Sequence, residues 1–325
     1  MENINTQYFT GTAPIPTGFK TLDDTLDGGL YEGLYVIGAL SSLGKTTFVQ
    51  QIADQVAQQG KDVLFFSMDM TRTELTSKSI SRETYLHTRQ YGLDEKNAKT
   101  SRGIIDGSRY HKDAERGIEG YNQQEIETIE AGFERHKEYA GNLYIVDRIG
   151  GIDNIMIRDM VRQHEMVTGN TPVVIVDYLQ LMEPAEPTNT IKQNTDEAVR
   201  GLKRLSNAHH TPVFAISAVP RSKYNKPLDM ASFKESGGIE YSADVLLALD
   251  FKKMLNDSKN CDVDEEKKKT PRNVTISILK NRLGETGHRV DYKYYPAYNM
   301  FEEVGKFNPM PSAESDFKDK IVSKW

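Results

Sequence analysis

Residues 34–48 read LYVIGALSSLGKTTF, and this stretch decides the fold of the chain. The apolar run 34–37 predicts a buried strand. Apolar side chains then recur at helical spacing from Phe48 to Ala57, and Gly60 ends the stripe. The loop ALSSLGKTT connects the two segments. The order strand, loop, helix predicts the first unit of an α/β fold.

The loop in this stretch fits the pattern of a phosphate-binding loop, which is a glycine, four residues of any type, and Gly-Lys-Ser or Gly-Lys-Thr. Residues 39–46 fit it, except that Ala39 takes the place of the first glycine. Backbone N–H groups at a helix N-terminus bind the phosphates, so the loop does not need a glycine there. The predicted nucleotide-binding residues are Ser42, Leu43, Gly44, Lys45, Thr46 and Thr47. A strand–helix turn without a ligand is the alternative.

A carboxylate is predicted to lie beside this loop. The apolar run 173–176 has the pattern of a strand buried on both faces, and Asp177 follows it. A parallel strand would place Asp177 at the carboxyl edge of the sheet. Mg²⁺ keeps most of its waters, so Thr46 and Asp177 together with nucleotide oxygens suffice as a metal site. The predicted cofactors are therefore ATP and Mg²⁺, and an aspartate that caps a loop is the alternative.

The remaining pattern alternates strands with helices, which predicts a mostly parallel twisted sheet with helices on both faces. Further strands are predicted at 63–66, 143–146, 213–216 and 245–249. Helix starts are predicted at Thr71 with Glu74, Asn122 with Glu125, Asp153, and Asn194 with Glu197. Residues 274–279 and 290–294 alternate around the turn LGETG, which predicts an antiparallel hairpin at the C-terminal edge of the sheet.

Composition excludes several classes of protein. The 325 residues are 38% hydrophobic, and no apolar run approaches the roughly 20 residues of a membrane-spanning helix. The first residues lack a signal-peptide core, so we expect a cytoplasmic protein without membrane contact. A lone Cys261 excludes an intrachain disulfide and a zinc site. The net charge of -6 excludes nucleic-acid binding through overall positive charge, so DNA binding requires a local patch.

The chain divides into an arm or linker over 1–16, one domain over 17–305 and a C-terminal tail over 306–325. Within the domain, residues 88–121 interrupt the strand–helix alternation. From Arg89 to Gly120 there are seven basic and six acidic residues, and this balance predicts a solvated surface insertion.

Six motifs in order resemble the DnaB-like replicative helicases, in their RecA-like C-terminal ATPase domain. The resemblance runs from about Thr17 to Phe301. The motifs are TGFKTLDDTLDGGLYEG, ALSSLGKTTF, FFSMDM, VVIVDYLQLM, FKESGGIEYSADV and LKNRLGETG. Recombinase-type relatives share only the first two. The resemblance implies a RecA-like P-loop NTPase fold.

The resemblance also implies catalytic roles. The catalytic glutamate of the family falls on Asp69, whose carboxylate is shorter by one methylene, and a misplacement of roughly 1.5 Å can cost about 10²-fold in rate. Lys280 and Arg282 match the basic pair that reaches the ATP of a neighbouring subunit. Strand alternation would place both on one face, and a solvated edge strand is the alternative. Ala218 stands where the family carries a glutamine that senses the γ-phosphate.

The local basic patch lies between Ala218 and Lys234, where four basic residues face one acidic residue. The phosphate-contacting Arg-Glu-Ser-Gly turn of the family appears as residues 234–237, with a lysine that lacks the bidentate arginine fork. The predicted DNA-binding residues are Arg221, Lys223, Lys234, Glu235 and Gly237. A mobile basic surface loop is the alternative.

The resulting hypothesis is an ATP-dependent, ring-forming helicase or translocase on single-stranded DNA, hexameric, with 5′ to 3′ polarity. A helicase loader or a primase is the expected partner. Because about sixteen residues precede the resemblance, we expect a member without the amino-terminal domain. Two alternatives remain: a recombinase-type or regulatory ATPase with weak or no unwinding, and a nucleotide-bound structural module with negligible hydrolysis.

Overall fold

A nine-stranded sheet forms the centre of the molecule in the computed structural model, which describes residues 13–111, 119–148, 151–184, 189–220, 225–233 and 237–305. Strands β1 to β9 span, in chain order, Gly33–Ala39, Val63–Ser67, Leu143–Asp147, Val173–Asp177, Pro212–Ala218, Val245–Phe251, Arg272–Asn281, Arg289–Tyr295 and Met300–Val304. Their order in the sheet is β3-β2-β4-β5-β1-β6-β7-β8-β9.

The first six strands pair in parallel, and β7, β8 and β9 extend the sheet antiparallel from β6. The α/β class, the mostly parallel sheet and the antiparallel C-terminal edge are therefore confirmed. Strand β9 was not anticipated, because only Phe301 of its five residues is buried and the apolar signal is correspondingly weak.

Ten helices lie in the described part of the chain, and capping fixes where several of them start. Helices α1 to α10 span, in chain order, Lys20–Thr25, Lys45–Gln58, Arg72–Tyr91, Ser101–Ile105, Gln123–Ala140, Asn154–Thr168, Ile191–His209, Gly237–Ser242, Lys252–Asn256 and Val263–Lys268. The predicted capping boxes at the starts of α3 and α5 are confirmed, and Asp153 caps α6 as predicted. None of these helices is long and apolar enough to cross a membrane.

The predicted start of α7 at Asn194 is wrong. The helix begins at Ile191, where Thr190 and Gln193 form the capping box. The sequence TIKQNTDE contains two consecutive capping patterns, and in the structure the first of them forms the capping box. Asn194 therefore lies inside the first turns of α7 rather than at its start.

The central strands β1, β2, β4 and β6 are buried on both faces, as their continuous apolar runs predict. Along β1, Tyr35 and Ile37 join one core with α2, whereas Leu34 and Val36 join a second core with α6 and α7. Two layers of helices therefore hold the central strands, and the strand ends are fixed relative to one another.

The segment 88–121 is more packed than its balanced charge suggests. Ile104 lies in a small core with Ile80 of α3 and Ile129 of α5. Lys99 is buried, pairs with Glu125 at 2.6 Å and lies over an aromatic ring. The described residues of this segment therefore lie against α3 and α5, and residues 112–118 lie outside the described part of the chain.

A buried ion pair joins α2, the helix that follows the phosphate loop, to the neighbouring helix α3. Arg82 of α3 donates to Asp54 of α2, and both side chains are almost fully buried. The Arg82 guanidinium also donates to the Asn299 carbonyl. Removing one partner of such a pair leaves a buried charge without compensation.

Asp54→Asn should lower the free energy of unfolding by about 3–5 kcal/mol, because it removes the carboxylate that pairs with the buried Arg82 charge. Urea unfolding measures the effect. Glu134→Gln is the control, since it removes one partner of the exposed Glu134–Lys137 pair and should change little. Equal losses in the two variants would contradict the assignment.

Candidate nucleotide site

The phosphate loop leaves the carboxyl end of β1 and leads into α2, as predicted. Ser42 and Gly44 take positive φ angles of 65° and 91°. A Cβ on Gly44 would lie 2.8 Å from the Tyr294 ring, so this position requires glycine. Ala39 lies in the regular strand and pairs with Ala218 and Leu249. The alanine in place of the first glycine therefore fits the backbone.

Three predicted residues lie together at this edge of the sheet. Lys45 Nζ donates to the Ala39 carbonyl at 3.0 Å, which places its ammonium across the loop. Thr46 Oγ1 donates to Asp177 Oδ2 at 2.8 Å. Leu43 is fully buried, so only its backbone is available to a ligand. The loop, the hydroxyl and the carboxylate therefore form a single cluster.

Burial raises the pKa of Asp177 to about 6. The hydrogen bond from Thr46 acts in the opposite direction, and the negative charge of Asp69 raises the pKa further. The positive charges of Lys45 and Lys78 lower it. A buried carboxylate whose ionisation is disfavoured gains most from a cation placed beside it.

Asp69 lies two residues beyond the end of β2, on the turn at the same edge. Ser67 at that end pairs with Asp177 of β4. Burial is the main cause of the raised pKa of Asp177 and of Tyr178, and the charge of Asp69 raises both further, so its carboxylate is within electrostatic range of them. Its side chain is exposed.

Sequence reasoning missed Lys78 of α3. Its Nζ donates to Thr47 Oγ1 at 3.1 Å and to Asn299 Oδ1 at 3.3 Å. Burial lowers its pKa, and Asp177 opposes that shift. The signal available in the sequence was its position three residues after Leu75, on the inner face of an amphipathic helix. A second ammonium therefore lies at the first turn of α2.

Arg272 at the start of β7 was also missed. Its guanidinium donates to the Ser42 carbonyl at 3.0 Å and lies near the Tyr294 ring. Because Ser42 and Arg272 are 230 positions apart, no local pattern could have connected them.

Lys280 and Arg282 lie away from the phosphate loop of their own chain. Lys280 Nζ donates to the carbonyls of Glu240 and Ala243, where it caps the carboxyl end of α8. Arg282 pairs with Asp244 at 3.1 Å. Strand β7 ends at Asn281, so the alternation expected for the pair does not extend to Arg282. Both side chains nevertheless contact the same segment, 240–244.

The predicted DNA-binding residues lie mostly outside the described part of the chain, namely Arg221, Lys223, Lys234 and Glu235. Gly237 begins α8, and the N–H group of the following Gly238 donates to Asp196 at 2.8 Å. Ala218 ends β5, and its side chain is exposed.

A phosphate loop at the carboxyl edge of a parallel sheet, with a carboxylate on a nearby strand, defines a P-loop nucleotide-binding domain. The family model of the DnaB-like helicase C terminal domain matches residues 14–303. The chain belongs to this family.

Individual relatives agree with that membership. The replicative DNA helicase DnaB of Pasteurella multocida is 26% identical over 309 residues, which cover 93% of this chain and 58% of that protein. The chain thus spans little more than half of this relative. The replicative DNA helicase DnaB of Haemophilus influenzae is likewise 26% identical, over 302 residues that cover 91% of this chain and 57% of that protein.

A solved DnaB-like replicative helicase, described with its interactions with primase, matches with a TM-score of 0.72 at 20% identity. The match covers 94% of this chain and 67% of that one. A second solved structure, described as an ATPase domain, has the same TM-score and identity over 94% of this chain and 96% of that one. At such identities the two structures establish the fold alone.

Asp177→Asn should stabilise the ligand-free protein at about pH 7.5 by roughly 1–3 kcal/mol, since one pKa unit corresponds to about 1.4 kcal/mol. The folded-state pKa is raised, so the ionised carboxyl opposes folding above about pH 6. That cost disappears as the pH falls below the unfolded-state value near 4. Urea unfolding of the wild type and of Asp177→Asn, at about pH 7.5 and at a pH below about 4, tests this. An equal difference in stability between the two proteins at the two pH values would contradict it.

Proposed function

We propose that this chain is an ATP-hydrolysing, ring-forming motor that translocates on single-stranded DNA and unwinds duplexes with 5′ to 3′ polarity. The observation that carries the proposal is the hydrogen bond from Thr46 to Asp177 beside Lys45, in a chain of the DnaB-like helicase domain family. These residues form the protein half of a site for a magnesium nucleotide.

The residues at the loop fit Mg²⁺ and ATP. The Thr46 hydroxyl and the Asp177 carboxylate are oxygen donors, which Mg²⁺ prefers, and the raised pKa of Asp177 favours a cation. No group of three or more His, Cys, Asp or Glu side chains in the described ranges could hold a metal on its own. Mg²⁺ bound mainly by nucleotide and water needs no such group. When bound, it neutralises charge on the transferred phosphoryl group.

The other residues at this edge have distinct roles in the proposal. Residues 42–47 hold the phosphates, and Lys45 neutralises their charge. Asp69 orients and deprotonates the attacking water, because it is an exposed carboxylate within electrostatic range of the metal site. Its shorter side chain makes slow turnover the expectation.

The position of Arg282 supports an oligomeric site. Its N–H group bonds to the Asp244 carbonyl, and the next residue, Val245, pairs with Tyr35 of β1. From Tyr35 to Ala39 the strand rises by about 13 Å, so Arg282 lies at the opposite edge of the sheet from its own phosphate loop. An arginine finger at this position serves the nucleotide of another subunit, and a hexameric ring provides that arrangement.

DNA is proposed to bind at the loops that leave β5 and precede α8. Arg221, Lys223, Lys234 and Glu235 supply the contacts, with the backbone of Gly237. The loop that follows Ala218 starts at the same edge as the nucleotide site, since Ala218 pairs with Ala39. A primase or a helicase loader is the proposed protein partner, and the cytoplasm the proposed location.

A regulatory ATPase that translocates weakly is the second candidate, favoured by Asp69 in place of glutamate and by the exposed alanine at 218. Steady-state ATP turnover with and without single-stranded DNA, on protein whose mass in solution is measured, distinguishes the candidates. A motor is stimulated by DNA, a regulatory ATPase is not, and a structural module shows no turnover.

Asp69→Asn should lower turnover by at least about 10²-fold with nucleotide affinity nearly unchanged, because the group acts in the transition state. Steady-state kinetics and equilibrium nucleotide binding measure the two quantities. Asp69→Glu tests the side-chain length and should raise turnover. A parallel loss of affinity and rate in the Asn variant would assign Asp69 a structural role.

Mixing two inactive variants should restore activity if Arg282 acts in trans. Lys45→Ala subunits keep the finger, and Arg282→Ala subunits keep the phosphate loop, so mixed rings contain some complete sites. Each variant alone should lose about 10³-fold or more in rate. Turnover of the mixture is measured after subunit exchange is demonstrated by mass. No recovery in exchanged rings would assign Arg282 to its own chain.

A further inference from the structure

The side chain of Gln180 extends the central sheet at the point where β4 stops. Pairing between β4 and β5 ends at Val176 with Ala215, whereas β5 continues for three more residues beside β1. In that extension Gln180 Oε1 accepts the N–H group of Ala218 at 3.0 Å. Its Nε2 donates to Ser217 Oγ at 3.0 Å and approaches the Ala218 carbonyl at 3.4 Å. The amide thus takes the place of a peptide group of the missing strand.

This amide connects the two sites of the proposed function. Gln180 is three residues after Asp177, which bonds to Thr46 of the phosphate loop. Ala218 is the last residue of β5, and the basic loop begins directly after it. Because one amide binds both main-chain groups of Ala218, a displacement of segment 177–181 displaces the base of that loop.

We propose that Gln180 is the positioning residue that couples the nucleotide site to the DNA-binding loop in this chain. The inference rests on the proposed function and deepens it. An alanine at position 218 cannot hydrogen-bond through its side chain, so its contacts with Gln180 run through its main-chain N–H and carbonyl groups alone. The coupling element is therefore a side chain from the segment after the metal-binding strand, and it binds the loop backbone.

Gln180→Ala tests the inference, and Ala218 is exposed, so water can replace the lost hydrogen bonds and the variant should fold. Thermal unfolding checks this. Gln180→Glu is the sharper variant, because a carboxylate accepts the Ala218 N–H but cannot donate to the carbonyl. Gln163→Ala, at an exposed position on α6, is the matched control.

Two quantities are measured for each protein: the ratio of ATP turnover with and without oligothymidylate, and oligothymidylate affinity with ADP and with a non-hydrolysable ATP analogue. Allosteric coupling typically changes affinity by about 5- to 150-fold, so loss of the link should reduce both ratios by at least about fivefold. Gln180→Ala and Gln180→Glu should both show this loss, and Gln163→Ala should not.

Two results would overturn the inference alone. One is a DNA response in Gln180→Ala equal to that of the wild type. The other is a parallel fall in turnover with and without DNA, which would mean that Gln180 supports the ATP site or the fold rather than the coupling. A wild-type protein without ATP turnover or DNA response would overturn the proposed function, and the inference with it.

Discussion

Parallel pairing of the first six strands constrains the rest of the molecule, because it brings their carboxyl ends to one edge of the sheet. The phosphate loop follows β1, Asp69 follows β2, and Asp177 ends β4. Three segments far apart in sequence therefore converge without long connections. Helices on both faces exclude water from β1, β2 and β4. A shift in the pairing of these strands would expose apolar side chains, so burial fixes how their ends line up.

The electrostatics of the site follow from the same burial. Asp177 is enclosed among apolar strands, where its ionisation is disfavoured, and Thr46 and Lys45 partly offset that cost. Lys78 brings another positive charge to the first turn of α2. The site therefore combines an acidic group that gains from a cation with two ammonium groups that gain from phosphate. The proposed magnesium nucleotide would supply both the cation and the phosphates.

The opposite edge of the sheet has a different chemistry. Lys280 binds the carboxyl end of α8, and Arg282 pairs with Asp244 beside it. Arg282 therefore lies at the opposite end of β1 from the phosphate loop of its own chain. If Arg282 serves the nucleotide of another subunit, as proposed, activity depends on assembly.

The sequence by itself determined the parts that depend on short-range patterns. The strand, loop and helix at residues 33–58, the capping box at Thr71 and the antiparallel edge could all be predicted, because their signals repeat within a few residues. Where two capping patterns follow one another, at Thr190 and at Asn194, local information did not identify the correct helix start.

Only the tertiary structure decided the contacts of Lys78 with Thr47, Arg272 with Ser42, and Gln180 with Ala218. Each joins residues at least 31 positions apart. The physical reason is that such hydrogen bonds depend on where a strand ends relative to its neighbour and on how deeply a helix packs. Burial across the whole sheet sets both, and no local pattern encodes them.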